Sequence, residues 1–249
     1  MNGNGHDVKS IISKIKKCKC GPDIDIVIAV PSVYLELARK HDGKNIYVAA
    51  QNCHKSERNY TGEISAVMLD DLNIEWVLLG DCVRRTLFKE SDELIGTKAD
   101  DALCEGLNVI ACLVERKEDD KTGKQHETIL SQLKAISDRT DDWCGIVLAY
   151  QPVWTFKENI TTIKVQEMHS LIRGWIRDNV DENAAKNTRI IYAGKVDSYN
   201  ALELAEQKDI DGFLIGEKSL TKEFLQIINA LKKIKKNVAC LNDQDKPKG

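Results

Sequence analysis

Apolar and polar positions along the chain fall into two alternating rhythms. Short runs rich in aliphatic and β-branched residues, at 25–30, 46–50, 75–79, 109–113, 146–150, 189–192 and 212–215, read as strands. Between them lie stretches with helical spacing and a polar face, at 91–105, 126–139, 162–180, 198–207 and 221–235. A further helical stretch, 8–17, precedes the first strand run. No linker, internal repeat or low-complexity segment interrupts the alternation. Such a pattern predicts parallel strands joined by right-handed helical crossovers, in one domain over 1–249.

The length of 249 residues suits a single (β/α)8 barrel, which takes roughly 250. Seven strand runs leave that barrel one short, and an open gap would expose unpaired edges and part of the core. One candidate for the eighth is Asn237-Val238-Ala239-Cys240-Leu241-Asn242, which follows the lysine-rich segment 232–236. A strand at 237–242 would run parallel to the others and close the barrel in a permuted order. The alternative is a tail after the last helix, with the gap filled in some other way. The lysines of 232–236 are most simply favourable charge at a helix C-terminus.

Composition adds constraints rather than chemistry. Hydrophobic residues make up 42% and charged residues 30%, enough for a core and a solvated surface. A net charge of -3 gives no reason to expect nucleic acid or an anionic membrane as partner. No apolar run approaches the roughly 20 residues of a membrane helix. Met1-Asn2-Gly3-Asn4-Gly5 has no signal-peptide core, and Asn2 occupies the position where myristoylation needs glycine. The eight cysteines are scattered, several within apolar runs such as 109–113, where cysteine acts as a small hydrophobe. Cys18-Lys19-Cys20 is the one tight pair and has no second pair or histidines to complete a zinc site. The expected protein is reduced and cytoplasmic, without metal or cofactor. All five histidines fall in helical or loop segments and are expected at the surface.

Several segments, in order and at the right spacing, carry a resemblance. They include Ala49-Ala50-Gln51-Asn52-Cys53, Tyr60-Thr61-Gly62-Glu63-Ile64-Ser65, Glu90-Ser91-Asp92-Glu93-Leu94-Ile95-Gly96 and Pro152-Val153-Trp154. Arg173-Gly174-Trp175 and Thr188-Arg189-Ile190-Ile191-Tyr192 continue the series. Through these the chain resembles the triosephosphate isomerase family over nearly its whole length. The resemblance implies a TIM barrel with its site at the C-terminal ends of the strands. It also implies isomerisation of dihydroxyacetone phosphate and glyceraldehyde 3-phosphate through an enediolate. A carboxylate base, a neutral histidine and a closing loop serve that reaction, a case the general chemistry of tuned acid–base pairs already describes.

The reactive positions depart from the family's pattern. The family's Asn-x-Lys-Met-Asn-Gly is represented only from its Met, so the first strand and its lysine are missing from the N-terminus. If 237–242 replaces that strand, Asn242 matches the motif's Asn and Gln244 its Lys. Gly-His-Ser-Glu-Arg-Arg reads Gly80-Asp81-Cys82-Val83-Arg84-Arg85, so Asp81 puts an anion in place of a neutral N–H donor. Ala-Tyr-Glu-Pro-Val-Trp reads Ala149-Tyr150-Gln151-Pro152-Val153-Trp154. An amide has no useful basicity at neutral pH, so Gln151 cannot abstract a carbon-bound proton.

The anion cradle implied by the resemblance is also altered. The family's lid sequence Ala-Ile-Gly-Thr-Gly-Lys is replaced by Thr155-Phe156-Lys157-Glu158-Asn159-Ile160, which has neither glycine. Tyr-Gly-Gly-Ser becomes Tyr192-Ala193-Gly194-Lys195, and Gly-Gly becomes Gly216-Glu217, which adds a carboxylate where phosphate would sit. Lys195 and Lys218 offset that charge in part, so weak anion binding stays open. Thr61, Glu63 and Arg85 are kept, and the resemblance implies an interface role for them, with Glu63 and Arg85 as an ion pair. Asp81 beside Cys82 offers a new base and nucleophile, but no histidine is placed to activate the thiol.

Three readings follow. The first is a catalytically inactive barrel with a structural, scaffold or binding role, as a homodimer or as a subunit of a larger assembly. The second is a residual or altered isomerase acting on triose phosphates. The third is a sensor that binds such a ligand without turnover.

Overall fold

The computed structural model describes residues 3–18, 23–40, 43–55, 60–156 and 158–231. Its seven strands are β1 (Ile26–Val30), β2 (Ile46–Ala50), β3 (Trp76–Leu79), β4 (Asn108–Glu115), β5 (Ile146–Pro152), β6 (Arg189–Tyr192) and β7 (Gly212–Phe213). The helices before β4 are α1 (Gly5–Lys17), α2 (Leu35–Ala38), α3 (Ala66–Asp71), α4 (Cys82–Thr86) and α5 (Asp92–Cys104). After β4 come α6 (Lys117–Thr122), α7 (Gln125–Ser137), α8 (Thr162–Asn179), α9 (Glu182–Asn187), α10 (Ala201–Ala205) and α11 (Glu223–Leu231). All seven strands form one parallel sheet in sequence order. Each of the expected strand runs is present.

Strand alternation sorts the apolar residues into two cores. One side of each strand packs on helices: Ile26 and Val30, Val77 and Leu79, Leu148 and Tyr150, and Tyr192 lie with Ile95, Ile129, Leu133 and Ile172. The other side gathers Val27, Ala49, Trp76, Ile110, Cys112, Val147, Ala149, Ala193 and Leu214 from strands across the whole sheet into a second, smaller cluster. Val27 of β1 and Leu214, directly after β7, share that inner cluster because the sheet curls. At its lower rim the curl brings Arg189 at the start of β6 to Asp25 before β1, at 2.9 Å, with the guanidinium over the Trp76 ring. The architecture is α/β and barrel-like, and its inner face is a packed core rather than a channel.

Among the described residues β1 pairs only with β2 and β7 only with β6, so both present a free edge. The closing segment expected at 237–242 and the candidate Gln244 lie outside the described residues, as does Lys157 in the lid.

Two helix boundaries differ from expectation for local reasons. α1 starts three residues earlier than the periodicity predicts, because Asn4 caps it. The Asn4 side chain accepts from the His6 and Asp7 amides while Asp7 answers to the Asn4 amide, a reciprocal capping box. α10 is shorter than 198–207. The Asp197 carboxylate accepts from the Tyr199 and Asn200 amides, and Asn200 from the Asp197 amide, so side chains take the first turn's donors.

Candidate functional site

The C-terminal ends of β3, β4 and β5 bring the predicted reactive positions together. Alternation along β5 turns Gln151 to the inner side, where it is 6% exposed. Its side-chain oxygen accepts a hydrogen bond from the Cys82 backbone N–H at 2.9 Å, so the amide reaches across the mouth from β5 to the turn after β3. That turn runs through Gly80, whose φ of +67° and closeness to Ile95 suit glycine alone.

Asp81 follows and is the N-cap of α4, its carboxylate accepting from the Arg84 amide at 3.0 Å. The anion expected to oppose enediolate charge is therefore engaged by a helix amide. Cys82 is half-buried, and burial followed by the Asp81 charge pushes its thiol up. Cys112, fully buried on the inner side of β4, is also pushed up by burial. Neither thiol is set up as a thiolate nucleophile at neutral pH.

A buried polar cluster supports this turn from behind. Lys98, fully buried on α5, donates to Glu90 at 2.6 Å and to Asn52 at 3.2 Å. Arg84 Nε also donates to Glu90, at 2.8 Å. Burial works to raise the Glu90 pKa, and the hydrogen bonds from Lys98 and Arg84 outweigh it and hold the carboxyl below its usual value. Arg85 pairs with Asp92 and donates to the carbonyls of Gly80 and Cys112. Glu63 and Thr61 stand exposed, so the Glu63–Arg85 pair is not made within one chain.

Glu115, at the end of β4, has no place among the positions expected from the sequence. It is buried, and accepts from the Tyr150 hydroxyl at 2.5 Å and the Trp154 indole at 2.8 Å. Burial raises its pKa against the pull of those two donors. It fixes the start of the lid, with Trp154 further covered by the Lys117 ammonium at 4.7 Å. The signal that could have found it is its placement: a carboxylate ending a run of six apolar residues has to meet donors when the strand is buried.

The lid itself is tied on both sides. Thr155 is fully buried and donates to the Pro152 carbonyl at 2.7 Å. Glu158 pairs with Lys117, and Asn159 accepts from Lys195 at 3.0 Å. Gly194 is a position no side chain can share, because a Cβ there would lie 2.1 Å from the Tyr192 hydroxyl. Gly216 and Glu217 are exposed after β7, and Lys218 reaches Glu223 at 3.3 Å. The two lysines counted toward an anion site thus already have partners inside the chain.

One expectation is corrected. His169 is not at the surface: it is fully buried on α8, packed edge-on to Tyr150 and beside Tyr192. The residue sits on the helix face turned to the strands, where Val165, Met168, Ile172 and Ile176 are buried. Burial drives its pKa down to about 4, and its Nδ1 lies 2.8 Å from the Val165 carbonyl. Among the described residues no group of three His, Cys, Asp or Glu side chains could hold a metal ion, and no helix is long and apolar enough to cross a membrane.

A curled parallel sheet wrapped by helices, with polar side chains gathered at the carboxyl ends of its strands, defines an α/β protein of the barrel type. The family model for triosephosphate isomerase matches residues 1–231, and the chain belongs to that family.

Proposed function

We propose that this member of the family is catalytically silent and is retained as a structural or binding barrel. The observation carrying this reading is Gln151: at the inner end of β5 the chain offers an amide, already bonded to the Cys82 N–H, in place of a base. Without a group of useful basicity, general-base catalysis worth about 100- to 10,000-fold is lost. Replacement of the neutral donor by Asp81 removes an electrostatic stabiliser worth roughly another 100- to 1000-fold. The two losses are not simply multiplied, because such groups act as a unit.

The test is an assay of purified protein for interconversion of dihydroxyacetone phosphate and glyceraldehyde 3-phosphate. No turnover above the uncatalysed rate is expected. Activity within about a thousandfold of ordinary enzymes would favour the second reading, a residual or altered isomerase, since a single-group loss already spans that range.

Two structural parts belong to the same proposal. The barrel is closed by 237–242 entering between β7 and β1. The chain also works as a homodimer or as a subunit of a larger assembly, for which α3, α4 and the two residues after α4 supply exposed apolar side chains: Met68, Val83, Leu87 and Phe88 are each more than two-fifths exposed. Glu63 and Arg85 would then meet across the interface rather than within one chain.

A further inference from the structure

The mouth of the sheet holds two thiols that the proposed function leaves unused. Cys112 is fully buried on the inner side of β4, and Cys82, half-buried at the first position of α4, packs against the same inner cluster. Strand register brings them together. Leu79 of β3 pairs with Ala111 of β4, and each cysteine lies within three residues of that pair. Arg85 binds the two segments to each other, its Nε donating to the Gly80 carbonyl at 2.8 Å and its Nη2 to the Cys112 carbonyl at 3.1 Å. On the other side Gln151 accepts from the Cys82 amide at 2.9 Å. Gln151 pairs with Val114, two residues along β4 from Cys112 and on the same face. The turn that carries Cys82 is thus held beside the strand that carries Cys112.

Access divides their roles. Both are free thiols, but Cys82 is open in part to solvent and Cys112 is closed off. The charge of a Cys82 thiolate acts on Cys112, so the two sulfurs lie within electrostatic reach of each other. Burial raises both thiols, which keeps thiolate scarce at neutral pH and makes a first reaction with an oxidant slow. A second step between the two sulfurs is intramolecular and gains from their being held together. Cys82 also stands where the family's motif has serine, so the motif itself supplies no such thiol.

We propose that Cys82 and Cys112 form an internal disulfide when the protein is exposed to hydrogen peroxide, strapping the turn after β3 to β4. The Cys82 thiolate attacks one peroxide oxygen and the O–O bond breaks. The sulfur becomes a sulfenic acid, and the leaving hydroxide, with the proton lost from the thiol, becomes water. The Cys112 sulfur then attacks the Cys82 sulfur and the S–O bond breaks. The departing hydroxide takes the Cys112 proton and leaves as a second water. Two thiols are oxidised by two electrons in all, and one peroxide is reduced to two waters. The slow first step suits sustained rather than brief exposure. The strap concerns the thiols alone, so it stands whether or not triose phosphates are turned over.

The test treats the full-length protein with graded hydrogen peroxide, alkylates the remaining thiols under denaturing conditions and maps the unreduced digest by mass spectrometry. A peptide pair joined through Cys82 and Cys112, lighter by two hydrogens than its parts and released by dithiothreitol, is the expected product. Cys112→Ala should let Cys82 pass on to sulfinic acid at doses where the parent chain stops at the disulfide. Cys82→Ser should leave Cys112 reduced, because the buried thiol then has no oxidised neighbour. Mapping of the parent chain decides the matter even where a variant fails to fold. Absence of the linked pair at every dose, with Cys82 over-oxidised or both thiols still alkylated, would overturn the proposal. A disulfide joining Cys82 to any other cysteine in its place would overturn it as well.

Discussion

His169 shows how a single side chain can tie stability to pH. Its imidazole is buried neutral, with a pKa lowered to about 4 from the usual 6.5. As pH falls below 6.5 the unfolded chain takes up a proton that the folded chain refuses until near 4. Stability from this residue is therefore full above 6.5 and declines through the interval down to 4, by up to ~3 kcal/mol. Glu115, whose pKa burial raises, works in the opposite sense, so the two are best separated by substitution. His169→Phe should flatten the dependence of unfolding free energy on pH between 6.5 and 4, measured by urea denaturation across that range. An unchanged slope would assign the titration elsewhere. His169 was not legible in the sequence, because one polar residue on an amphipathic helix gives no sign of the face it takes. Asp81 was legible as a changed residue but not as a cap, since the five-residue α4 is too short to leave a periodic trace.

Elements were read best where two signals agreed. The strand runs are β-branched and bounded by turns, and all of them are found in the sheet in the expected order. Helix ends were less legible, because side-chain hydrogen bonds rather than apolar spacing decide them. α1 is the clearer case, with its boundary set by the Asn4–Asp7 box. Asn4→Ala should lower unfolding free energy by about 1 kcal/mol, the usual worth of an N-cap, in chemical denaturation. A change near zero would mean that packing of Val8, Ile11, Ile12 and Ile15 alone sets where α1 begins. The lid is the opposite case: its lost glycines were visible in the sequence, but its ties to Lys117 and Lys195 depend on residues 36 to 41 positions away, beyond any local pattern.

At the scale of the whole molecule the class of fold was legible from alternation and length, whereas closure was not. An edge is a property of neighbours in space, and a short apolar run such as 237–242 carries no record of where it pairs. Removal of residues 237–249 should lower the melting temperature if that run closes the gap between β7 and β1. Unchanged thermal stability would sink the closing-strand reading. Size-exclusion chromatography with light scattering should give a mass above the monomer's 28.0 kDa if α3 and α4 form an interface.

The division of apolar residues into two layers has a consequence for how this family can change. Most of the buried apolar side chains belong to the layer between strands and helices, and few to the inner layer that ends at the strand mouth. Hydrophobic stabilisation follows buried apolar area, so the fold draws little of it from the residues around the mouth. A lineage can then replace a base, a donor and a phosphate loop in turn without passing through an unfolded intermediate. Such a fold can keep its stability while the residues at its mouth change.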